Sequence, residues 1–229
     1  MRQAGGMTTP DAVLRRVRGA LGLGRLLALG GPADGAWLSE SAAAAVLRRA
    51  AASVPGAVLN DVRLSLADPE AAESTTVPTP PAALWPGPLR LEAGVSVWDL
   101  TEPLPALMAA LRAALFDAAA ETLGLTVTVV DLRVETLLDA APESPAAPGA
   151  PAAAEPSDAV GTAVAATAGV AHLTGTLGAA VHQAPDHVRV ELATAEGHRA
   201  LDVARAVRRV VAGALEDNRA VTIVITATT

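Results

Sequence analysis

Four histidines, His172, His182, His187 and His198, are the residues of this chain best suited to chemistry. An imidazole can move a proton near neutral pH or bind a transition metal. His172 and His182 are separated by an even step, so a strand would place both on one face, with His187 following across a turn. That arrangement would suit a His-only metal site. No Asp or Glu stands at ligand spacing, however, and the ordinary place of such side chains is a solvated or hydrogen-bonded surface. The expectation is no metal and no cofactor. Nucleophile chemistry fares no better. The chain has no Cys, which removes thiolate catalysis and disulfides. Ser96 sits inside an alternating strand pattern with no Gly-x-Ser-x-Gly elbow around it. There is no Lys and hence no P-loop, and Gly22-Leu23-Gly24 lacks the third glycine and the preceding strand of a dinucleotide fingerprint. Asp99 and Glu102 flank a helix start and read as cap and dipole partners. Asp131 reads as a turn-like residue beside a bulge. The chain is therefore expected not to be an enzyme.

Three tryptophans remain conspicuous, because aromatics make up only 2% of the chain. Trp37, Trp85 and Trp98 are the candidate interaction residues, since Trp is enriched at binding hot spots. The competing reading of Trp98 is a side chain covered by a neighbouring segment. Trp85 would fold back as a lid or stand exposed. Composition narrows the partners. All 17 basic residues are Arg and the net charge is −7, so a nucleic acid is not expected. Arg without Lys, together with abundant Ala, reads as high-GC bacterial coding bias. No run approaches the ~20 apolar residues of a spanning helix, and no convincing signal peptide follows Arg15-Arg16, so a cytoplasmic location is expected.

The elements that would position these residues form a repeating order. Residues 1–36 read as a tail with a short helix over 11–21, in which Val13, Leu14, Val17 and Leu21 oppose Arg15, Arg16 and Arg18. Such a basic amphipathic helix either touches an anionic membrane or partner, or packs on the domain. Residues 37–139 read as the first α+β unit. A helix over 40–53 ends at Pro55-Gly56, and strands follow over 57–66 and from Leu89, where Leu89, Leu91, Ala93, Val95 and Val97 alternate with polar residues. A helix capped by Thr101 carries Leu104, Leu107, Met108, Leu111 and Leu115 on one stripe, and Gly124 stops it. A last strand runs over 125–138, with a phase change near Val130-Asp131 that implies a bulge. The Pro-rich insertion 68–88 reads as a mobile loop. Residues 140–156 read as a Pro/Ala linker. Residues 157–229 read as a second unit of the same order: helix 158–168, strands 171–181 and 187–192, a helix striped by Leu201, Val203, Val207, Val210 and Ala214, and a strand at Val221, Ile223 and Ile225. The expectation is an α+β fold of two tandem α-β-β-α-β units, each a small three-stranded sheet with two helices on one face.

Three pieces in order carry a family resemblance: Ala50-Ala51-Ala52-Ser53-Val54-Pro55-Gly56-Ala57-Val58, then Gly94-Val95-Ser96-Val97, then the run from Glu121-Thr122-Leu123-Gly124-Leu125 through Val127, Val129 and Val134. Over residues 40–138 the chain resembles the alkaline-shock-protein family of bacterial envelope stress response proteins. A degenerate second copy would cover 157–229, where the Pro is lost. The resemblance implies a non-catalytic cytoplasmic protein that self-associates or gathers at the membrane through an anchored protein partner. It supplies no catalytic residues. The alternative function is a ligand-sensing module with its pocket between the two units.

Overall fold

The computed structural model describes residues 22–142, 151–215 and 217–229. The fold is α+β, with two mixed sheets packed around one continuous apolar core. The smaller sheet has three strands in the order β3 (Ala57–Leu66), β4 (Leu89–Val97) and β5 (Val127–Leu137). β3 runs antiparallel to β4, and β4 parallel to β5. Helix α1 (Glu40–Ala51) leads into this sheet, and α2 (Leu104–Asp117) crosses between β4 and β5. Leu107, Met108, Leu111 and Leu115 are the buried stripe of α2. Its last turn, Ala118–Leu123, widens into a π-helix and ends at Gly124 in the left-handed conformation, φ +79°. Pro103, not Thr101, occupies the N-cap of α2. Thr101 instead bonds to the Asp99 carboxylate through both its N–H (2.8 Å) and its hydroxyl, and the helix starts two residues later, at the Pro103 cap.

The second half repeats the strand directions: α3 (Ala159–Ala165), β7 (Val170–Thr174), β9 (His187–Thr194), α4 (Ala200–Ala214) and β10 (Ala220–Thr228), with β7 antiparallel to β9 and β9 parallel to β10. Its sheet is not three-stranded. It has seven strands. Two of the four additional ones are β1 (Leu26–Leu29), in the stretch expected as a tail, and β2 (Ala36–Ser39), at the start of the expected first unit, and β2 lies parallel to β10. The reason is burial. Every β2 residue is buried, and a three-stranded sheet would leave Ile223, Val224 and Ile225 of β10 at an open edge. Asp34, at the hairpin turn, accepts two hydrogen bonds from Arg205 of α4 (2.8 and 2.9 Å), which hold its carboxyl below the usual range. The helix expected over 11–21 lies outside the described residues.

Four further expectations are corrected. The single strand over 171–181 is interrupted: β7 ends at Thr174, residues 175–180 loop over the sheet face, and β8 (Val181–Gln183) resumes beside β9. The linker is not wholly free of structure, since β6 (Ala153–Ala154) pairs with β7. The insertion 68–88 is docked. Ala67 and Glu73 bond to Pro88 and Pro86 (both 2.8 Å), Leu26 N–H donates to Ala82 O and Leu84 N–H to Leu26 O, and Val77 is buried. The bulge expected near Val130-Asp131 instead skips Thr128 and a second one skips Glu135. Between the two sheets, α1 packs on β10 and on β3 alike, so the halves share a core.

Candidate functional site

A sheet edge exposes a row of backbone donors and acceptors, and each edge of this fold is managed differently. On the larger sheet, β1 is covered by residues 82–84 through the two bonds just named, and the opposite margin is the two-residue β6. On the smaller sheet, the free side of β3 is occupied by side chains. Glu40 accepts from Leu64 N–H (2.9 Å), Arg25 donates to Leu64 O, and Arg48 donates to Asn60 O (3.0 Å). Burial pushes the Glu40 carboxyl up, but Leu64 N–H and Arg25 outweigh it and hold it below the ordinary range.

β5 is different. It is an eleven-residue strand that pairs with β4 only. In a parallel ladder alternate residues turn both backbone groups to the neighbour and the others turn them away. Leu138 N–H bonds to Val97 O, and Leu89 N–H bonds to Thr126 O. With the register of β4 and β5, these place the backbone groups of Val129, Asp131 and Arg133 toward β4 and those of Val130, Leu132 and Val134 outward. Arg112 Nε reaches Val130 O at 3.4 Å, and no other described group bonds to that row.

The outer face of the same sheet carries charge without a covering element. Arg63, Glu92 and Asp131 lie side by side across β3, β4 and β5, and Gly94 lies beside Arg133 in a neighbouring row. Arg90 pairs with Asp131 at 3.0 Å, with both side chains about half exposed. A shallow depression of about 440 Å³ opens here, lined by Asp61, Arg63, Glu92, Asp131, Arg133 and Glu135. Gly94 is needed at its floor, because a Cβ there would strike the Glu135 carboxylate, which crosses β4 to accept from Asn60 Nδ2 (2.9 Å). Ser96, whose place in the alternation predicts a wet face, is only 7% exposed and donates to Asn60 Oδ1 (3.1 Å) in this network.

A second depression, of about 400 Å³, lies where the halves meet. Arg49 of α1, Glu121 and Thr122 of the π turn, and Glu196, His198 and Arg199 of the loop before α4 line it. The π turn is held by Arg199, whose Nε donates to Ala120 O (2.9 Å). The two halves approach closely at this point: a Cβ on Gly124 would lie 2.5 Å from Leu201 Cβ. π turns are often found at functional sites.

The three tryptophans do not meet. Trp37 is 1% exposed and packs with Leu26, Val77 and Val224 under residues 75–84, so it anchors the insertion and is not available to a partner. Trp98 is half-buried and Trp85 is 45% exposed. The histidines scatter as well. His198 reaches the cleft, and His182 and His187 stand 6.1 Å apart by ring centroid, with His187 Nδ1 at 2.9 Å from Asp186. Among the described residues no three His, Asp or Glu side chains converge as a metal cradle. No described helix is long and apolar enough to cross a membrane.

One buried carboxylate escapes the sequence reading. Arg189 and Glu191 alternate with Val188, Val190 and Leu192, a pattern that reads as a wet strand face. Glu191 is in fact fully buried, because the 175–180 loop folds over it. Its carboxylate accepts from Leu177 N–H (2.9 Å) and faces the Arg189 guanidinium at 3.2 Å. Burial pushes its pKa up, and Leu177 N–H and Arg189 offset only part of that. Trp37 Nε1, His172 Nε2, Arg189 Nε and Glu191 Oε1 are buried without a hydrogen-bond partner, and the strand registers place all four on this face of the larger sheet. Ordered water is the usual partner of such atoms. The signal for this cluster was the Gly175–Gly178 pair, which marks a loop inside an otherwise continuous strand pattern.

No family model, curated protein or solved structure matches the chain. The resemblance to the alkaline-shock-protein family rests on the residues quoted for it.

Proposed function

We propose that this chain is a non-catalytic structural or interaction protein of a bacterial envelope stress response, working in the cytoplasm through self-association or a membrane-anchored protein partner. The observation that carries the reading is the edge of β5. Its outward backbone groups have one weak side-chain partner, whereas the other long edges are covered by chain or by side chains. An open edge recruits another strand. The envelope-stress assignment is supported by the resemblance over residues 40–138. Fractionation of the native host with tagged full-length protein tests the reading. Recovery in large assemblies or with membranes is expected, and recovery only as a monomer or dimer in the soluble fraction would overturn it. Deletion of residues 1–21 separates attachment by the basic segment from attachment by a partner.

A second reading is a ligand-sensing module, favoured by the cleft at the junction of the halves, where Arg49, His198 and Arg199 face Glu121 and Glu196. A thermal-shift screen with charged metabolites tests it. Stabilisation that is lost on Arg49→Ala supports it, and no stabilising compound counts against it.

A further inference from the structure

We infer that β5 pairs with β5 of a second copy of this chain, antiparallel and in register on Leu132. The inference rests on the open edge that carries the proposed function, and it names the occupant. The register follows from three constraints. First, the outward backbone groups belong to Val130, Leu132 and Val134. A two-fold axis at Leu132 makes Leu132 face its own copy and Val130 face Val134 of the other, so the outward groups of each copy meet in about six backbone hydrogen bonds. Arg112, which touches Val130 O at 3.4 Å, turns aside.

Second, the bulges at Thr128 and Glu135 limit the regular ladder to residues 129–134. A two-fold axis at Val130 or Val134 would run the pairing into one of them. Third, the charges agree. With the axis at Leu132, Asp131 stands directly opposite Arg133 of the second copy, and Arg133 opposite its Asp131. Directly opposed unlike charges stabilise an antiparallel pair, and like charges destabilise it. An axis at Asp131 or at Arg133 would set each against itself. Asp131 keeps Arg90 as its neighbour, and Arg133 makes no ion pair or side-chain hydrogen bond among the described residues. The surface beside the edge does not obstruct pairing. α2 packs against β5, and its exposed residues between 105 and 113 are Pro105, Ala106, Ala109, Ala110 and Ala113, all uncharged. The product is a closed, isologous dimer with one continuous six-stranded sheet built from two three-stranded ones.

Sedimentation velocity of the purified full chain, from low micromolar to a few hundred micromolar, tests this directly. A reversible dimer is expected. Arg133→Asp should weaken it roughly tenfold, because two symmetry-related attractions become repulsions. Asp131→Arg should do the same, and the double variant Asp131→Arg/Arg133→Asp should return the dissociation constant to within about threefold of the parent. Arg133→Asp should leave the melting temperature of the monomer unchanged, which separates loss of contact from loss of fold. The absence of native Cys allows a second readout. Leu132→Cys should oxidise to a covalent dimer, since residues opposed in a hydrogen-bonded pair have Cα atoms about 5.5 Å apart, whereas Val129→Cys should not. A monomer across the whole range, a double variant as weak as the singles, or cross-linking at 129 in place of 132 would overturn the inference. If the dimer forms but the native host shows no assembly or membrane recovery, the proposed function fails and the interface stands. Assemblies that persist with Arg133→Asp would place that function on another surface.

Discussion

Replacing Glu40 by Ala should destabilise the chain by about 2–4 kcal/mol. The figure comes from what the carboxylate holds. It accepts the Leu64 N–H at 2.9 Å, a charge-assisted hydrogen bond to backbone worth about 1.5–3 kcal/mol, and its loss leaves a partly buried donor bare. It pairs with Arg25 at 3.2 Å with its own side chain 16% exposed, which adds about 0.2–1 kcal/mol. It also stands in the first turn of α1, where a negative charge contributes about 0.3–1 kcal/mol. These contributions share one group and do not add fully. Glu40→Gln keeps an acceptor for Leu64 and should cost about half as much. The pH dependence has a defined sign. The folded carboxyl is held below its ordinary range, so its stabilisation is complete above the unfolded pKa and is lost as pH falls through the folded value. Urea unfolding at pH 7 and at pH 3.5 is the assay. The gap between parent and Glu40→Gln should shrink at the lower pH. A loss under about 0.5 kcal/mol for Glu40→Ala, with an unchanged urea slope, would refute the view that this side chain seals the edge of β3.

Glu191 should behave in the opposite sense. Its folded pKa is raised by burial, so the parent should gain stability relative to Glu191→Gln as pH falls from the raised value toward the ordinary carboxylate range, read by paired urea titrations. Glu191→Ala leaves Arg189 and Leu177 N–H unpaired and should cost about 3–5 kcal/mol at pH 7. Gly124→Ala forces a side chain into a left-handed position 2.5 Å from Leu201 Cβ and should lower the melting temperature by roughly 5–15 °C in a thermal scan. In fluorescence quenching by acrylamide, a variant retaining only Trp37 should be strongly shielded, and one retaining only Trp85 should quench freely.

The strand, helix and strand from Leu89 onward were legible because each has a clear period: alternation in β4, the Leu107–Leu111–Leu115 stripe in α2, and a Val-rich run in β5. The α+β class follows from those periods alone. What the periods could not carry was sheet membership. β1 and β2 are four residues each, too short for periodicity, and their place beside β10 depends on a partner nearly two hundred residues away in the chain. Glu191 was misread for a related reason. Alternation marks which residues share a face but not whether a loop later covers it, and residues 175–180 do. The bulges moved from Val130-Asp131 to Thr128 and Glu135 because a change of parity shows only that an extra residue exists, and Val129 and Val130 are apolar on both sides of it. For the candidate site, Asp131 reads from the sequence only as a turn-like residue beside a bulge, and the structure places it with Arg133 on the exposed face of β5. The openness of their strand was not legible, since it is a contrast with β3, whose edge is sealed by Arg25, Glu40 and Arg48 from separate segments.

Amide hydrogen exchange of β5 measured across protein concentration tests the account most directly. The N–H groups of Leu132 and Val134 point outward and should exchange rapidly in dilute solution, then slow progressively as concentration rises, while those of Asp131 and Arg133, bonded to β4, stay slow throughout. Exchange at Leu132 and Val134 that is fast at every concentration would contradict association through this edge.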